Sequence, residues 1–267
     1  MGGTVPVAER SILALGGHEF SRRRGNEAIR DHLLGLVPRE RPRVCLLPTA
    51  SGDPTDQIAA FRSSVGEREC ELSNISLFRL EAEGLDVAEH LLAQDLIYVG
   101  GGSMLNLIAI WRAHGVDELL RRCWERGVIL AGQSAGAMCW FEWGVSRSSG
   151  VARIVPGLGL IGGLMSVHYH RDPERRRVTL AEVARRRRPG YGIDDGAGLL
   201  FRGEVATAAV TAREEAGVWR IVPDGRGRAR EVRMASEALA APRVAIDEVA
   251  PEVQELRAVR ALRAGRL

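Results

Sequence analysis

One short segment of the chain combines residue types that could carry out nucleophilic catalysis. An apolar run, Val128 to Ala131, leads into Gly132-Gln133-Ser134-Ala135-Gly136, and a segment with helical character follows. A serine between glycines at a strand end is typical of a nucleophile elbow, because the sharp turn needs small residues on both sides of the nucleophile. The pattern indicates Ser134 as a candidate nucleophile. A small-residue turn packed on a neighbouring strand is the alternative.

A hydrolytic serine also needs hydrogen-bond donors for the negative charge that develops on the substrate oxygen. The backbone amide of Ala135 is one candidate, and the run Gly100-Gly101-Gly102 supplies a second, which we assign to Gly102. This run matches neither the P-loop nor the G-x-G-x-x-G pattern of nucleotide-binding proteins. We therefore interpret it as part of an oxyanion hole.

The serine hydroxyl needs a base, and the best candidate among the six histidines is His168. It lies in a strand-like segment that runs into a polar loop. Alternation along a strand places His168 and His170 on the same face, so spacing alone does not choose between them. His18 follows an apolar run and is a further candidate.

The base in turn needs an acid that fixes its tautomer. Asp194 and Asp195 lie in a turn before the apolar run Ala197 to Phe201, and Glu142 follows the serine turn more closely. For these acids the alternatives are a solvated loop and a surface glutamate. The order along the chain is serine, histidine, aspartate, whereas α/β-hydrolases have serine, aspartate, histidine, which disfavours that fold.

Alternating apolar and amphipathic segments indicate the elements that position these residues. Near-continuous apolar runs predict buried parallel strands, namely Ile12–Leu15, Val44–Leu47, Ile75–Phe78, Leu96–Val99 and Val128–Ala131. Helical spacing connects them, at residues 24–36, 55–65, 104–113 and 116–126. The pattern predicts a three-layer α/β fold with a doubly wound, mostly parallel sheet of flavodoxin-like type. Ligands of such sheets bind beyond the carboxyl ends of the strands, where the glycine-rich turns lie.

After Gly150 the pattern changes to glycine-punctuated loops, a helical stretch near 174–186, and β-like segments at 197–201, 204–210 and 218–222. We interpret these as part of the same unit, which gives one catalytic domain at 11–235. Residues 236–267 are rich in alanine, arginine and glutamate without a clear core pattern. We expect a tail there that is helical or partly disordered.

Composition excludes several chemistries. All 37 basic residues are arginine, so the chain has no lysine for a Schiff base or a Ser-Lys dyad. The net charge is only +3 and acids are interleaved with the arginines, which argues against a nucleic-acid partner. No apolar run reaches the roughly 20 residues that span a bilayer. We expect a cytoplasmic protein with no membrane partner and no zinc site, whose four cysteines are reduced and buried.

Several segments together resemble the peptidase E family of serine peptidases, which includes aspartyl dipeptidases and cyanophycinases. The resemblance covers about residues 11–222. It rests on the segments Ile12-Leu13-Ala14-Leu15-Gly16-Gly17, Val44-Cys45-Leu46-Leu47-Pro48-Thr49-Ala50-Ser51, Tyr98-Val99-Gly100-Gly101-Gly102-Ser103, Gly132-Gln133-Ser134-Ala135-Gly136-Ala137, Val167-His168-Tyr169 and Gly192-Ile193-Asp194-Asp195-Gly196. Matching segments in the same order are far more specific than the serine turn alone.

The resemblance implies a sheet like that of class I glutamine amidotransferases, with Ser134 as nucleophile and His168 as base. It places Asp195 where the family has an acid, and it implies cleavage of short peptides at an aspartyl residue without metal or other cofactor. Cleavage of β-aspartyl bonds, hydrolysis of another small amide or ester, and an inactive binding homologue are the alternatives. We expect a short peptide as the partner, and a homodimer as the oligomeric form to test.

Arginine near the site could recognise an acidic substrate side chain, and Arg171 is the nearest to His168 in sequence. The chain departs from the family in two places. Arg147 stands where many relatives carry an acid, and Ser166-Val167 replaces a common Cys-Pro before the histidine. These departures bear on the shape and charge of the substrate pocket.

Overall fold

The larger of two β-sheets carries most of the strands that the sequence predicts. The structure is a computed structural model that describes residues 10–17, 27–66, 69–80 and 84–239. The eight strands of this sheet lie in the order β14-β11-β10-β1-β5-β4-β2-β3. They are β1 Ser11–Leu15, β2 Arg43–Leu47, β3 Glu71–Asn74, β4 Leu96–Val99, β5 Ile129–Gln133, β10 Ala197–Arg202, β11 Val205–Thr211 and β14 Ser236–Ala238. The five strands from β1 to β3 are parallel, and β10 joins them antiparallel to β1.

A second sheet of six strands has the order β13-β12-β9-β8-β6-β7. Its strands are β6 Phe141–Ser146, β7 Arg153–Pro156, β8 Ile161–Val167, β9 Gly190–Ile193, β12 Val218–Pro223 and β13 Ala229–Arg233. Strands β6, β8 and β9 are mutually parallel, and the outer strands pair antiparallel. The chain enters this sheet directly after the serine turn, so the two sheets meet near Ser134.

Helices cover both faces of the large sheet. They are α1 Glu27–Gly35, α2 Thr55–Val65, α3 Val87–Leu92, α4 Met104–His114, α5 Val116–Glu125 and α6 Ala135–Met138, whereas α7 Pro173–Arg186 packs on strands of the second sheet. Alternate residues of β1 point into two separate cores, since Ile12 and Ala14 lie in one and Leu13 and Leu15 in the other. A sheet buried on both faces explains why its strands are continuously apolar in sequence.

The sequence predicts this first sheet well, with one error at its edge. The structure places β3 at Glu71–Asn74, whereas the apolar run Ile75–Phe78 follows it and includes the start of a 3₁₀ turn. The sequence gives no apolar run at β3, because it is an edge strand with partly exposed polar residues. The apolar run after it buries Ile75 and Leu77 in the core without being a strand.

The chain is thus a mixed α/β protein with two sheets, and the second sheet was not predicted as a separate unit. Three of its strands, β6, β8 and β9, contain glycine, which weakens their apolar pattern. The large sheet also extends past the expected domain boundary at 235, because β14 pairs with β11. The remainder of the predicted tail, from residue 240, lies outside the described residues. No helix in the part of the chain that the structure describes is long and apolar enough to cross a membrane.

Candidate active site

The serine turn joins β5 to the short helix α6. Ser134 has φ 53° and ψ −112°, a backbone conformation that L-residues rarely adopt. Glycine is required on both sides: a Cβ at Gly132 would lie 2.4 Å from the Gly136 carbonyl oxygen, and one at Gly136 would lie 2.2 Å from the Val99 carbonyl oxygen. The G-x-S-x-G pattern therefore reflects tight packing of the turn against β4. This packing presents the serine side chain at the carboxyl end of the sheet.

His168 follows the last residue of β8 and turns its imidazole toward the serine. The distance between Ser134 Oγ and His168 Nε2 is 3.0 Å, a normal hydrogen bond. His168 also has a positive φ, 53°, so the extended backbone of β8 does not continue through this residue. The side chain is 21% exposed, which leaves it open to a substrate on one side.

Asp195 lies behind the imidazole, in the turn between β9 and β10. Its Oδ1 accepts a short hydrogen bond from His168 Nδ1. Because a carboxylate can only accept, Nδ1 carries the proton, and Nε2 is the acceptor for the Ser134 hydroxyl. The structure therefore brings Ser134, His168 and Asp195 together in the order required of a nucleophile, a base and an orienting acid.

The neighbouring acid has a different partner. Asp194 Oδ1 accepts a hydrogen bond of 2.8 Å from the backbone amide of His170, and its carboxylate lies 3.4 Å from His170 Nδ1. The His170 ring packs on Trp219 with 4.0 Å between centroids. His170 and Asp194 thus form a supporting contact beside the three site residues.

The glycine pair after β1 makes room for the base. A Cβ at Gly17 would lie 2.3 Å from His168 Cε1 and 3.0 Å from Asp195 Oδ1. At Gly16 it would lie 1.9 Å from the Asp194 carbonyl oxygen. In the sequence this pair belongs to the first segment of the family resemblance and has no assigned role. Its position shows that the histidine and its acid are packed directly against the β1 end.

The glycine loop after β4 borders the nucleophile on the other side. A Cβ at Gly101 would lie 3.3 Å from Ser134 Cβ, so the glycine at this position leaves the serine side chain its space. Gly102 has φ 145° and packs on Ala50, whose carbonyl oxygen would be 2.2 Å from a Cβ there. Among the described residues, the amides of Gly102 and Ala135 donate no hydrogen bond to another backbone group. An oxyanion hole formed by these two amides stays a prediction.

A cleft of about 370 Å³ opens beside the base and is lined by Arg147, His168, Arg171 and Asp172. This volume lies near the lower end of the range for small-molecule sites, roughly 300–1,000 Å³. Arg171, predicted as a substrate-binding residue, is 71% exposed, and its Nη1 lies 3.1 Å from Asp195 Oδ2. The guanidinium therefore reaches both the rim of the cleft and the acid behind His168.

A buried arginine supports the backbone around the base. Arg175 Nη1 donates to the carbonyl oxygen of Val167 at 3.2 Å, and the Asp172 amide donates to the His168 carbonyl at 2.9 Å. The Arg175 side chain is only 12% exposed, and burial lowers the pKa of its guanidinium against the opposing effect of the nearby Asp172 charge. Burial disfavours ionisation of Asp172, but its hydrogen bonds from the Arg175 amide and from Arg147 lower the pKa overall. Nothing in the run of three arginines distinguished Arg175 in the sequence.

Glu142, the other candidate acid, has partners of its own. Glu142 Oε2 accepts hydrogen bonds from Arg188 at 3.0 Å and from the Gly163 amide at 3.3 Å. Cys139 is fully buried, and burial raises the pKa of its thiol well above the ordinary value. His18 lies outside the described residues. Within the described ranges, no group of three or more His, Cys, Asp or Glu side chains could hold a metal ion.

Fold and site define the class: an α/β protein with a serine, a histidine and an aspartate joined by hydrogen bonds at a strand end. Residues 12–209 match the family model of Peptidase family S51. The match covers most of the chain, which therefore belongs to peptidase family S51 and is a peptidase. The family resemblance predicted from the sequence is confirmed.

Individual relatives agree with this assignment. The chain is 36% identical over 214 residues to the uncharacterized peptidase YgaJ of Bacillus subtilis (strain 168), covering 80% of this chain and 92% of that protein. A crystal structure from Listeria monocytogenes EGD-e, described as a peptidase E protein, superposes with a TM-score of 0.56 at 17% identity, over 74% of this chain and 96% of that one. The crystal structure of a peptidase from an acI-B1 Actinobacterium superposes with a TM-score of 0.57 at 20% identity, over 85% of this chain and 94% of that one. At these identities the two structures support the fold alone.

Proposed function

We propose that the chain is a serine peptidase that hydrolyses short peptides through an acyl-enzyme on Ser134. The observation that carries the proposal is the 3.0 Å contact between Ser134 Oγ and His168 Nε2, with Asp195 on the opposite ring nitrogen. A neutral imidazole held in this tautomer can accept the serine proton as the oxygen attacks a carbonyl. The arrangement of these three side chains supports the roles of nucleophile, base and orienting acid.

The reaction would proceed in two halves. Ser134 Oγ forms a bond to the carbonyl carbon while its proton moves to His168 Nε2, and the amides of Ala135 and Gly102 stabilise the oxyanion. The C–N bond then breaks as His168 returns the proton to the leaving nitrogen. In the second half a water molecule loses a proton to His168 and attacks the ester carbonyl. The bond from the carbonyl carbon to Ser134 Oγ then breaks as His168 returns that proton to Oγ, which releases the acid and regenerates the enzyme. Asp195 stays ionised throughout and stabilises the imidazolium.

Replacement of the nucleophile tests this chemistry. The Ser134→Ala variant should lose peptide hydrolysis by about 10⁴-fold or more, because no other group on the path can form the acyl-enzyme. A fluorophosphonate should add one adduct to the wild-type protein at Ser134 and none to the variant, as read by intact mass. An unchanged rate in the variant, or a wild-type protein that hydrolyses no peptide and takes up no label, would contradict the proposal. The second outcome would favour a binding protein without turnover.

We further propose that the preferred substrate has an aspartate at the scissile bond, recognised by Arg171. An exposed guanidinium at the rim of the cleft supports this specificity, since arginine pairs with carboxylates through two parallel hydrogen bonds. A panel of Asp-Leu, β-Asp-Leu, Asn-Leu and Ala-Leu should show fastest hydrolysis of Asp-Leu. Preference for β-Asp-Leu would indicate a β-aspartyl peptidase instead. Equal rates across the panel would exclude acidic specificity while leaving the serine mechanism standing.

A further inference from the structure

Arg147 lines the same cleft as His168 but has no assigned role. It lies in the turn between β6 and β7, and three groups hold its side chain. Its Nε donates to the Gly150 carbonyl at 3.2 Å and lies 3.2 Å from Glu174 Oε2, and its Nη1 donates to Asp172 Oδ2 at 3.3 Å. Its Nη2 makes no hydrogen bond within the part of the chain that the structure describes, although the side chain is 46% exposed. The guanidinium is therefore anchored on one side and available on the other.

The loop that carries Arg147 is tied to both halves of the site. On one side Ser148 Oγ lies 3.1 Å from Ser146 Oγ and 3.2 Å from Ser103 Oγ, and Ser103 directly follows the glycine loop. On the other side Asp172 contacts Arg147 through its carboxylate and His168 through its amide. These contacts fix the position of Arg147 relative to both the glycine loop and the base.

The cleft adjoins His168, the residue that would protonate the leaving group. His168 Nε2 protonates the departing nitrogen, so the residue that contains this nitrogen occupies the space beside the imidazole. In a dipeptide that residue ends in an α-carboxylate, whose carbon is two bonds from the departing nitrogen. Chemistry therefore fixes the position of this carboxylate closely, and it needs a receptor that is itself held in place. Arg147 meets this requirement better than Arg171, because the Arg171 side chain is 71% exposed and that of Arg147 is 46% exposed and held by three groups.

From this geometry we infer that Arg147 binds the α-carboxylate of the released amino acid and so restricts the substrate to dipeptides. The inference rests on the proposed serine peptidase function and adds the recognition of the leaving group to it. Asp172 and Glu174 offset part of the charge of Arg147. Their role is to orient the guanidinium, while its unused nitrogen binds the carboxylate.

Three substrates with one acyl group test the inference: Asp-Leu, its C-terminal amide Asp-Leu-NH₂, and aspartyl p-nitroanilide. The wild-type protein should hydrolyse Asp-Leu with a kcat/KM roughly tenfold or more above that for the amide, because only the acid pairs with Arg147. In Arg147→Gln this ratio should fall to near one through slower hydrolysis of Asp-Leu. Rates for the amide and the anilide should fall by less than the rate for Asp-Leu, so the loss of the ratio reports on the carboxylate alone.

Two controls make the result specific. Arg153→Gln removes an exposed arginine on β7 that does not line the cleft, and it should keep the wild-type ratio. Loss of the ratio in Arg171→Gln but not in Arg147→Gln would overturn the inference, as would equal wild-type rates for the acid and the amide. These outcomes leave the serine mechanism intact, since the anilide is still hydrolysed. Failure of all three substrates together with an unlabelled Ser134 would refute the proposed function, and this inference with it.

Discussion

At the scale of single residues, the site depends on places where a side chain is absent. Gly17 leaves the space that the His168 ring occupies, since a Cβ there would lie 2.3 Å from Cε1 and 2.9 Å from Nδ1. Gly17 also has φ 151°, a conformation that disfavours other residues. The position of the His168 ring therefore depends on a glycine after β1 as well as on the loop that carries the histidine.

Gly17→Ala should displace the imidazole from Ser134 and lower kcat for peptide hydrolysis by about 10²-fold or more, since misplacement by 1 Å can have this effect. The fluorophosphonate labelling rate should fall in parallel. Gly35→Ala is the matched control, because a Cβ at Gly35 meets nothing within 4 Å. A Gly17→Ala variant with wild-type kcat would show that the ring does not need this space.

The choice between the two histidines also belongs to this scale. Strand alternation placed His168 and His170 on one face and could not separate them. The structure ends β8 at Val167, and the positive φ of His168 breaks the alternation, so the two rings diverge. A pattern of residue types predicts Ser134 because the glycine spacing encodes its turn, but it does not predict a positive φ at a histidine.

At the scale of elements, a partly buried acid, Glu231, links α7 to β13. Glu231 accepts hydrogen bonds from Tyr169 at 2.6 Å and from Arg176 Nε at 2.7 Å. The Arg176 hydrogen bond lowers the pKa of Glu231, against the opposing effect of burial. Because Tyr169 follows the base directly, this contact links the second sheet to the loop that carries His168.

Glu231→Gln should lower the free energy of unfolding at pH 7 by about 1–2 kcal/mol, allowing for the partial exposure of Arg176. A lowered carboxyl pKa stabilises the fold above the ordinary glutamate value near 4.3 and loses this effect as pH falls through the folded-state pKa. The difference between wild type and variant should therefore shrink below about pH 4. Urea unfolding at both pH values measures it, with the exposed Glu215→Gln as control. An equal difference at pH 7 and pH 3 would contradict the assignment.

Most elements of the large sheet could be predicted, because burial on both faces leaves an apolar signal in each strand. The signal fails for β3, which is exposed at the edge. It also fails for β9, whose four residues include Gly190 and Gly192, because packing against Val183 and Tyr169 leaves no room for side chains there. Because every second residue of this four-residue strand is glycine, its sequence has no apolar periodicity to detect.

At the scale of the whole molecule, the three site residues come from both sheets. Ser134 follows β5 of the large sheet and His168 follows β8 of the small one. Asp195 lies in the connection from β9 to β10, where the chain passes from the second sheet back to the first. The geometry of the site therefore depends on how the two sheets meet, which is why local sequence patterns identified its members but not their contacts.

This fold also buries every cysteine, so a thiol reagent can reach the side chain only when the protein unfolds. Cys45, Cys70, Cys123 and Cys139 are all 0–1% exposed. Burial raises the pKa of Cys45 to about 12 and that of Cys123 to about 11, so the reactive thiolate is scarce at neutral pH.

Ellman's reagent should therefore titrate no fast thiol in the native protein and four in urea. Cys70 should react first under mild denaturant, because it borders an open groove at the β3 edge. A native thiol that reacts as fast as free cysteine would show that one core opens locally, without unfolding of the sheets.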